Sequence, residues 1–194
     1  MLKENVNMKQ GDTEFLALGT QTDDLSDVHM TGEVIDKIYK NGVLVDTIVG
    51  HNLVVNSFLK LVMLMLKNQN GYKGATYWAI GSGADSWDST AVSPSAGETR
   101  LTNEIGRVSI DPSEIVFLDT NYNVVETPTN IIQITHTFGT SDCNGKWREF
   151  GIFGGNATSD ANSGFMVNKR HHGIITKTSE MIVERTMRFT INFA

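Results

Sequence analysis

The most constraining feature of this chain is a run of strict alternation near its C-terminal end. Met181, Val183, Met187, Phe189, Ile191 and Phe193 fall on one face of an extended segment, interrupted only by Arg185. Ile182, Glu184, Thr186, Arg188, Thr190 and Asn192 fall on the other. Successive side chains of a strand point to opposite faces, so a period of two held from Met181 to Phe193 requires a sheet with one buried face. The run is much longer than the usual strand of about 5–6 residues. It is expected to be the spine of the sheet, bent by a bulge near Arg185.

Strand signals recur through the rest of the chain. Residues 32–39 and 43–49 are two β-branched runs flanking Asn41-Gly42, the pair that supplies the positive-φ positions of a tight hairpin turn. Residues 75–80 form another run, closed by Gly81-Ser82-Gly83. Residues 114–118 and 123–127 flank a turn at Asp119-Thr120-Asn121-Tyr122. Residues 131–138 place Ile132, Ile134, His136 and Phe138 on one face, and residues 147–153 and 164–168 complete the set. Short strands joined by turns imply a mainly β fold, an antiparallel β-sandwich or partly open barrel. One buried α-helix and an extended N-terminal arm complete the expected architecture. At 194 residues the chain suits one domain, with the arm at residues 1–30 and the β-rich domain at residues 31–194.

The helix is the exception to the strand pattern. Leu53, Val54, Val55, Phe58, Leu59, Leu61, Val62, Met63, Leu64, Met65 and Leu66 are apolar, while Asn56, Lys60 and Lys67 share one narrow sector. This predicts a helix over 53–66, N-capped by Asn52, with a single wet stripe. One thin sheet covers only about half of such a helix. Either a second subunit shelters the remainder, or two sheets of the same chain clasp it. The arm poses a similar choice, because Phe15-Leu16-Ala17-Leu18 is more apolar than a solvated tail requires. It either packs on a neighbouring subunit or stays loose.

Composition narrows the function. A formal net charge of −6 argues against a surface that neutralises nucleic-acid phosphates. The single cysteine, Cys143, rules out an intrachain disulfide and a zinc site of several thiolates. The first residues lack the apolar stretch of a secretory signal, and no run of about 18 apolar residues is present to span a bilayer. The expectation is a protein made and kept in a cytoplasm, or in something assembled there.

No motif marks a catalytic centre. Cys143 sits between Asp142 and Asn144 in a turn, where its thiol pKa is expected to rise. Gly81-Ser82-Gly83 lacks the lysine of a phosphate loop and the third glycine of a dinucleotide turn. Lys169-Arg170-His171-His172 is the densest polar cluster. Consecutive strand residues face opposite ways, so the two imidazoles are expected at a polar surface or an interface rather than on one metal. Arg148 and Glu149 face apart for the same reason, which predicts a buried arginine with a partner across the sheet. Neither Asp85, Ser86 and Asp88 nor Asp23, Asp24 and Asp27 has the ligand spacing of a calcium loop. No metal, cofactor or small-molecule substrate is expected. Trp87, in the long loop after residue 83, must fold back on the domain or be covered by a partner.

The order of these elements carries a resemblance. Gly50-His51-Asn52-Leu53-Val54-Val55-Asn56 opens the helix and Ala79-Ile80-Gly81-Ser82-Gly83 follows. Then come Thr99-Arg100-Leu101-Thr102-Asn103-Glu104-Ile105-Gly106-Arg107, Glu149-Phe150-Gly151-Ile152-Phe153 and residues 185–193. Across about residues 32–193 this resembles small virion proteins of tailed bacteriophages and phage-like contractile particles, of the tail-collar, neck, fibre-attachment and baseplate kind. The resemblance implies a β-rich structural protein without enzymatic activity, carried in a virion assembled in the bacterial host cytoplasm. It also implies repetition as a ring or trimer in contact with other virion proteins, and no contact with nucleic acid or membrane. The interface residues expected on this reading are Phe15, Leu16, Leu18, Leu53, Phe58, Met63, Met65, Trp87, Lys169, Arg170, His171 and His172. A receptor- or carbohydrate-binding module built on Trp87 and Trp147, and a capsid decoration protein, are the alternatives.

Overall fold

The computed structural model describes residues 28–88 and 92–193; the arm segment at residues 1–27 lies outside the described residues. In chain order the strands are β1 (Val28–Lys40), β2 (Val43–His51) and β3 (Leu53–Val54), followed by the helix α1 (Asn56–Leu66). Next come β4 (Lys73–Gly81), β5 (Glu104–Ser109), β6 (Ile115–Leu118) and β7 (Val124–Val125). The last four are β8 (Ile131–Phe138), β9 (Gly145–Gly155), β10 (Phe165–Lys177) and β11 (Met181–Phe193). They form a six-stranded sheet in the order β2-β1-β11-β8-β6-β7 and a five-stranded sheet in the order β3-β10-β9-β4-β5. Every pairing is antiparallel, and the two sheets enclose a common core without closing into a barrel.

The hairpin forms where the sequence places it, with Asn41 at φ 50° and Gly42 at φ 78°. Its second strand pairs with β1 through a register shift beside Ile38 and Tyr39. The spine is β11, flanked by β1 and β8. Its register against both neighbours is unbroken through Arg185, so the expected bulge there is absent.

Arg185 stays in register because its charge is satisfied inside the core. Asp36 is its Cα partner on β1, and the two side chains are 2% and 0% exposed. The guanidinium donates two parallel hydrogen bonds, Nε to Oδ1 at 2.6 Å and Nη2 to Oδ2 at 2.8 Å. From the opposite sheet Phe150 lies 4.1 Å and Trp147 5.3 Å from the guanidinium carbon. Aromatic faces attract a cation, and the bidentate fork matches a carboxylate, so the pair recovers much of what desolvation costs. Around it Phe138 stacks edge-on against both Trp78 and Trp147, at 6.4 and 5.0 Å between ring centres.

The helix differs from expectation at its start. Leu53 and Val54 pair with β10 as β3, so the helix begins at Asn56 and the N-cap position belongs to Val55, without a side-chain cap. Ser57 instead ties the first turn to the domain, its hydroxyl donating to the Met166 carbonyl. Asn68 closes the other end in the left-handed conformation, at φ 53°. Within one copy only Ser57 and Leu61 of the helix are fully buried, so the arrangement with two sheets clasping the helix is not formed among the described residues. Leu61 packs over Gly154 and Gly155 of β9, where an added Cβ would crowd its methyls.

Breaking the buried pair tests this account. Arg185→Met leaves the Asp36 carboxylate buried and unpaired and is expected to destabilise the domain by about 3–5 kcal/mol in urea unfolding. Asp36→Leu combined with Arg185→Met should recover most of that loss. Equal instability of the single and double variants would refute the assignment.

Candidate functional site

Two surfaces carry the residues singled out by the sequence. The first is the outer side of the five-stranded sheet, over which the loop leaving β4 folds back. Gly83 adopts φ 62°, and the Trp87 ring occupies the space a Cβ would fill. Trp87 also stacks on His171 at 4.1 Å between ring centres. Of the two fates expected for this tryptophan, folding back on its own domain is the one observed. Trp147 is likewise interior, so neither ring is a free aromatic platform.

Lys169 holds this loop down. Expected within a surface basic cluster, it is 1% exposed. Its ammonium contacts Glu149 Oε2 at 3.0 Å and Glu98 Oε2 at 2.5 Å, and donates to the Arg100 carbonyl and the Thr102 hydroxyl. Glu149, also buried, accepts a hydrogen bond from the Asn103 backbone N–H. Burial alone would raise the Glu98 pKa, but the Lys169 ammonium and the Ser95 backbone N–H outweigh it and hold the carboxyl below its usual value. Four oxygens saturate the lysine, so its chemistry is that of an anchor.

The rest of the basic cluster divides between the two faces of the sheet. His171 points outward and donates through Nδ1 to the Val92 carbonyl at 2.8 Å. His172 points toward the core, its ring 6.1 Å from Phe150 and its Nδ1–H donating to the Gly173 carbonyl. The register shift between His171 and Ile175 accommodates the turn of the backbone between them. Arg170, half-buried, lies against Gly50 of β2. With Lys169 buried and the other three half-buried, the cluster is divided between the two faces of the sheet. Among the described residues no three His, Cys, Asp or Glu side chains converge as metal ligands would.

Arg148 and Glu149 do face apart. Arg148 is buried, and the loop after β4 supplies partners for it. Its Nη1 donates to the carbonyls of Ser82 and Ala84 and lies 3.7 Å from Asp85. Another cation, Arg107, belongs to a segment that carries the resemblance but is not a site residue expected from the sequence. It pairs with Glu104 at 2.6 Å and donates to Thr158 and Ser163, pinning the loop before β10. The Cys143 thiol is pushed up to about 11, first by burial and then by Asp142, the direction expected from its neighbours.

The second surface is the outer face of α1. Leu59, Met63 and Leu66 are 63%, 67% and 73% exposed, and Met65 is exposed as well. Leu59, Met63 and Leu64 border with Phe165 a groove of about 510 Å³ whose charged residues are Lys60 and Lys67, whereas Met65 and Leu66 border a cleft on the other side of the helix. Leu53 and Phe58 are half-buried, Leu53 paired with Lys169 of β10 and Phe58 packing on the core. Phe15, Leu16 and Leu18 lie outside the described residues. Nearby, β2 forms an open sheet edge with Val43, Leu44, Val45 and Val49 exposed.

The core-facing histidine predicts a pH dependence. Burial first, and the Arg185 guanidinium second, lower the His172 pKa from 6.5 to about 4. The unfolded chain therefore takes up this proton before the folded one does. Stability from His172 is complete above about pH 6.5 and lost as the pH falls toward about 4. The full loss converts to about 3 kcal/mol. His171, lowered chiefly by burial, adds in the same direction. In urea titrations at pH 7 and pH 4, His172→Phe should remove most of this decline; a decline as steep as that of the unaltered protein would contradict the buried neutral ring.

No family model matches the chain, and no curated protein or solved structure matches it either.

Proposed function

We propose that this protein is a non-enzymatic structural component of a phage or phage-like particle, at the tail, neck/collar or baseplate. In this reading copies assemble into a ring or trimer and contact neighbouring virion proteins. The observation that carries the assembly part is the outer face of α1, where Leu59 and Met63 stand in solvent beside Phe165. A contiguous apolar surface rimmed by polar residues is characteristic of a protein–protein contact. The β2 edge supports the same reading, because a long strand with unpaired backbone groups and exposed valines is a template for another chain. Residues 43–66 thus bring the open edge and the apolar helix face together along one stretch of chain. The virion assignment rests on the resemblance of the sequence segments.

Trp87 does not favour the receptor- or glycan-binding alternative. Its ring is stacked on His171 and seated over Gly83, so its apolar face is already used within the domain.

Light scattering of the full chain tests the assembly reading. A discrete oligomer is expected, and Leu59→Asp with Met63→Lys should reduce it to monomers without lowering the melting temperature, since both side chains are exposed in one copy. A wild-type chain that stays monomeric at millimolar concentration would overturn it. Labelling the chain in an imaged particle tests its place in a virion, where a fixed axial position is expected.

A further inference from the structure

A second apolar surface opens on the inner side of the helix. Between α1 and the six-stranded sheet lies a cleft of about 440 Å³. Met30, Ile132 and Phe189 form one wall, Phe58, Val62 and Met65 the other, and every side chain lining the cleft is apolar. Its volume lies in the range of about 300–1,000 Å³ typical of sites that bury a small ligand or a few large side chains. Water in such a cleft finds no hydrogen-bonding side chain, so an apolar occupant is favoured.

The position of the chain's start indicates which one. The described residues begin at Val28, two positions before Met30 in the cleft wall. There β1 is fixed in register against the end of β11, with Val28 opposite Phe193 and Met30 opposite Ile191. The preceding 27 residues therefore join the domain beside the cleft. Within them Phe15-Leu16-Ala17-Leu18 is the one run of more than two consecutive apolar residues. Between it and Val28 lie Gly19, Asp23, Asp24, Ser26 and Asp27, residue types that favour turns. A connection of about ten residues can extend to roughly 33–36 Å, ample to double back into a cavity of this size. Tethering sets the effective concentration of such a segment near millimolar, which favours it over a segment of a separate copy at ordinary protein concentrations.

We propose that Phe15-Leu16-Ala17-Leu18 seats in the cleft between α1 and the six-stranded sheet of its own copy, closing the open end of the sandwich. The seated segment shields the inner side of the helix, Leu66 included, and leaves Leu59 and Met63 on the outer side free. This inference does not depend on assembly, and a monomeric protein would leave it standing.

The test uses the full chain with the photo-cross-linking residue benzoylphenylalanine at position 16, prepared as an equal mixture of ¹⁴N and ¹⁵N protein. Irradiation should join position 16 to peptides containing residues 58–65 or 132–134, with both halves of each product carrying the same isotope. Mixed-isotope products would assign the cleft to a neighbour's arm, and products outside the cleft would remove the arm from it; either result overturns the proposal. In parallel, Phe15→Asp with Leu16→Asp should raise the fluorescence of the apolar dye ANS at least threefold while circular dichroism stays unchanged. Unchanged dye binding would also overturn it.

Discussion

The fold is organised around one buried ion pair. Asp36 and Arg185 face each other on β1 and β11, two adjacent inner strands of the larger sheet, and the guanidinium lies under aromatic rings of the smaller one. A buried pair of this kind gives little net stability compared with well-packed apolar residues. Its consequence here is for register. Sliding β11 by one residue against β1 would turn Arg185 to the solvent face, leave Asp36 buried alone and reverse the apolar set on β11. The pair also shapes its surroundings. Burial first, and the nearby guanidinium second, disfavour a positive charge on His172 and lower its pKa.

The loops obey a related rule. Four buried or nearly buried cations each donate to oxygens of a connecting segment. Lys169 holds residues 98–102, Arg148 holds Ser82 and Ala84, Arg107 holds Thr158 and Ser163, and Lys177 holds Gly139 and Asn144. These segments contain few apolar side chains, so burial alone anchors them weakly. A cation with several donors satisfies several loop oxygens at once, and a carboxylate such as Glu149 or Glu104 balances its charge. Five cations are used inside the protein when Arg185 is included. The net charge of −6 therefore understates how acidic the outer surface is.

The parts of the fold that were readable were those set by local backbone geometry and period. Asn41-Gly42 specifies its hairpin, and the alternation of β8 and β11 identifies their buried faces. Strand β5 was missed because Glu104, Gly106 and Arg107 interrupt its apolar pattern, and the reason for those polar residues lies in a loop more than fifty positions away. The helix start was misplaced because β3 takes Leu53 and Val54 into a sheet edge, a tertiary pairing that overrides helical period. Lys169 was read as a surface residue since its carboxylate partners are distant in sequence. Asp36 and Arg185 did leave a trace. Each is a charge with apolar residues two positions before and after it, Val34 and Ile38 for Asp36 and Val183 and Met187 for Arg185, and their signs are opposite.

The distribution of sheet edges bears on how copies would meet. β3 and β7 are two-residue stubs, and the six residues of β5 include Glu104 and Arg107, which are engaged with the loop before β10. Short or covered edges resist pairing with other chains. The nine-residue β2 is different, for its outer backbone groups face no other strand among the described residues and its valines are exposed. Natural proteins usually protect such an edge with lysine or proline, and β2 has neither; Asp46 is its one carboxylate. That omission would be a liability in a chain that works alone. It is consistent with a chain whose neighbour completes the sheet, and the adjoining helix places its apolar side next to that edge in sequence. Backbone pairing at β2 would set the direction of approach, while side-chain packing on α1 would supply most of the apolar burial. Because the other described edges are short or covered, β2 of one copy would pair most readily with β2 of a second, an isologous two-fold contact, and closure into a ring would draw on a separate heterologous contact.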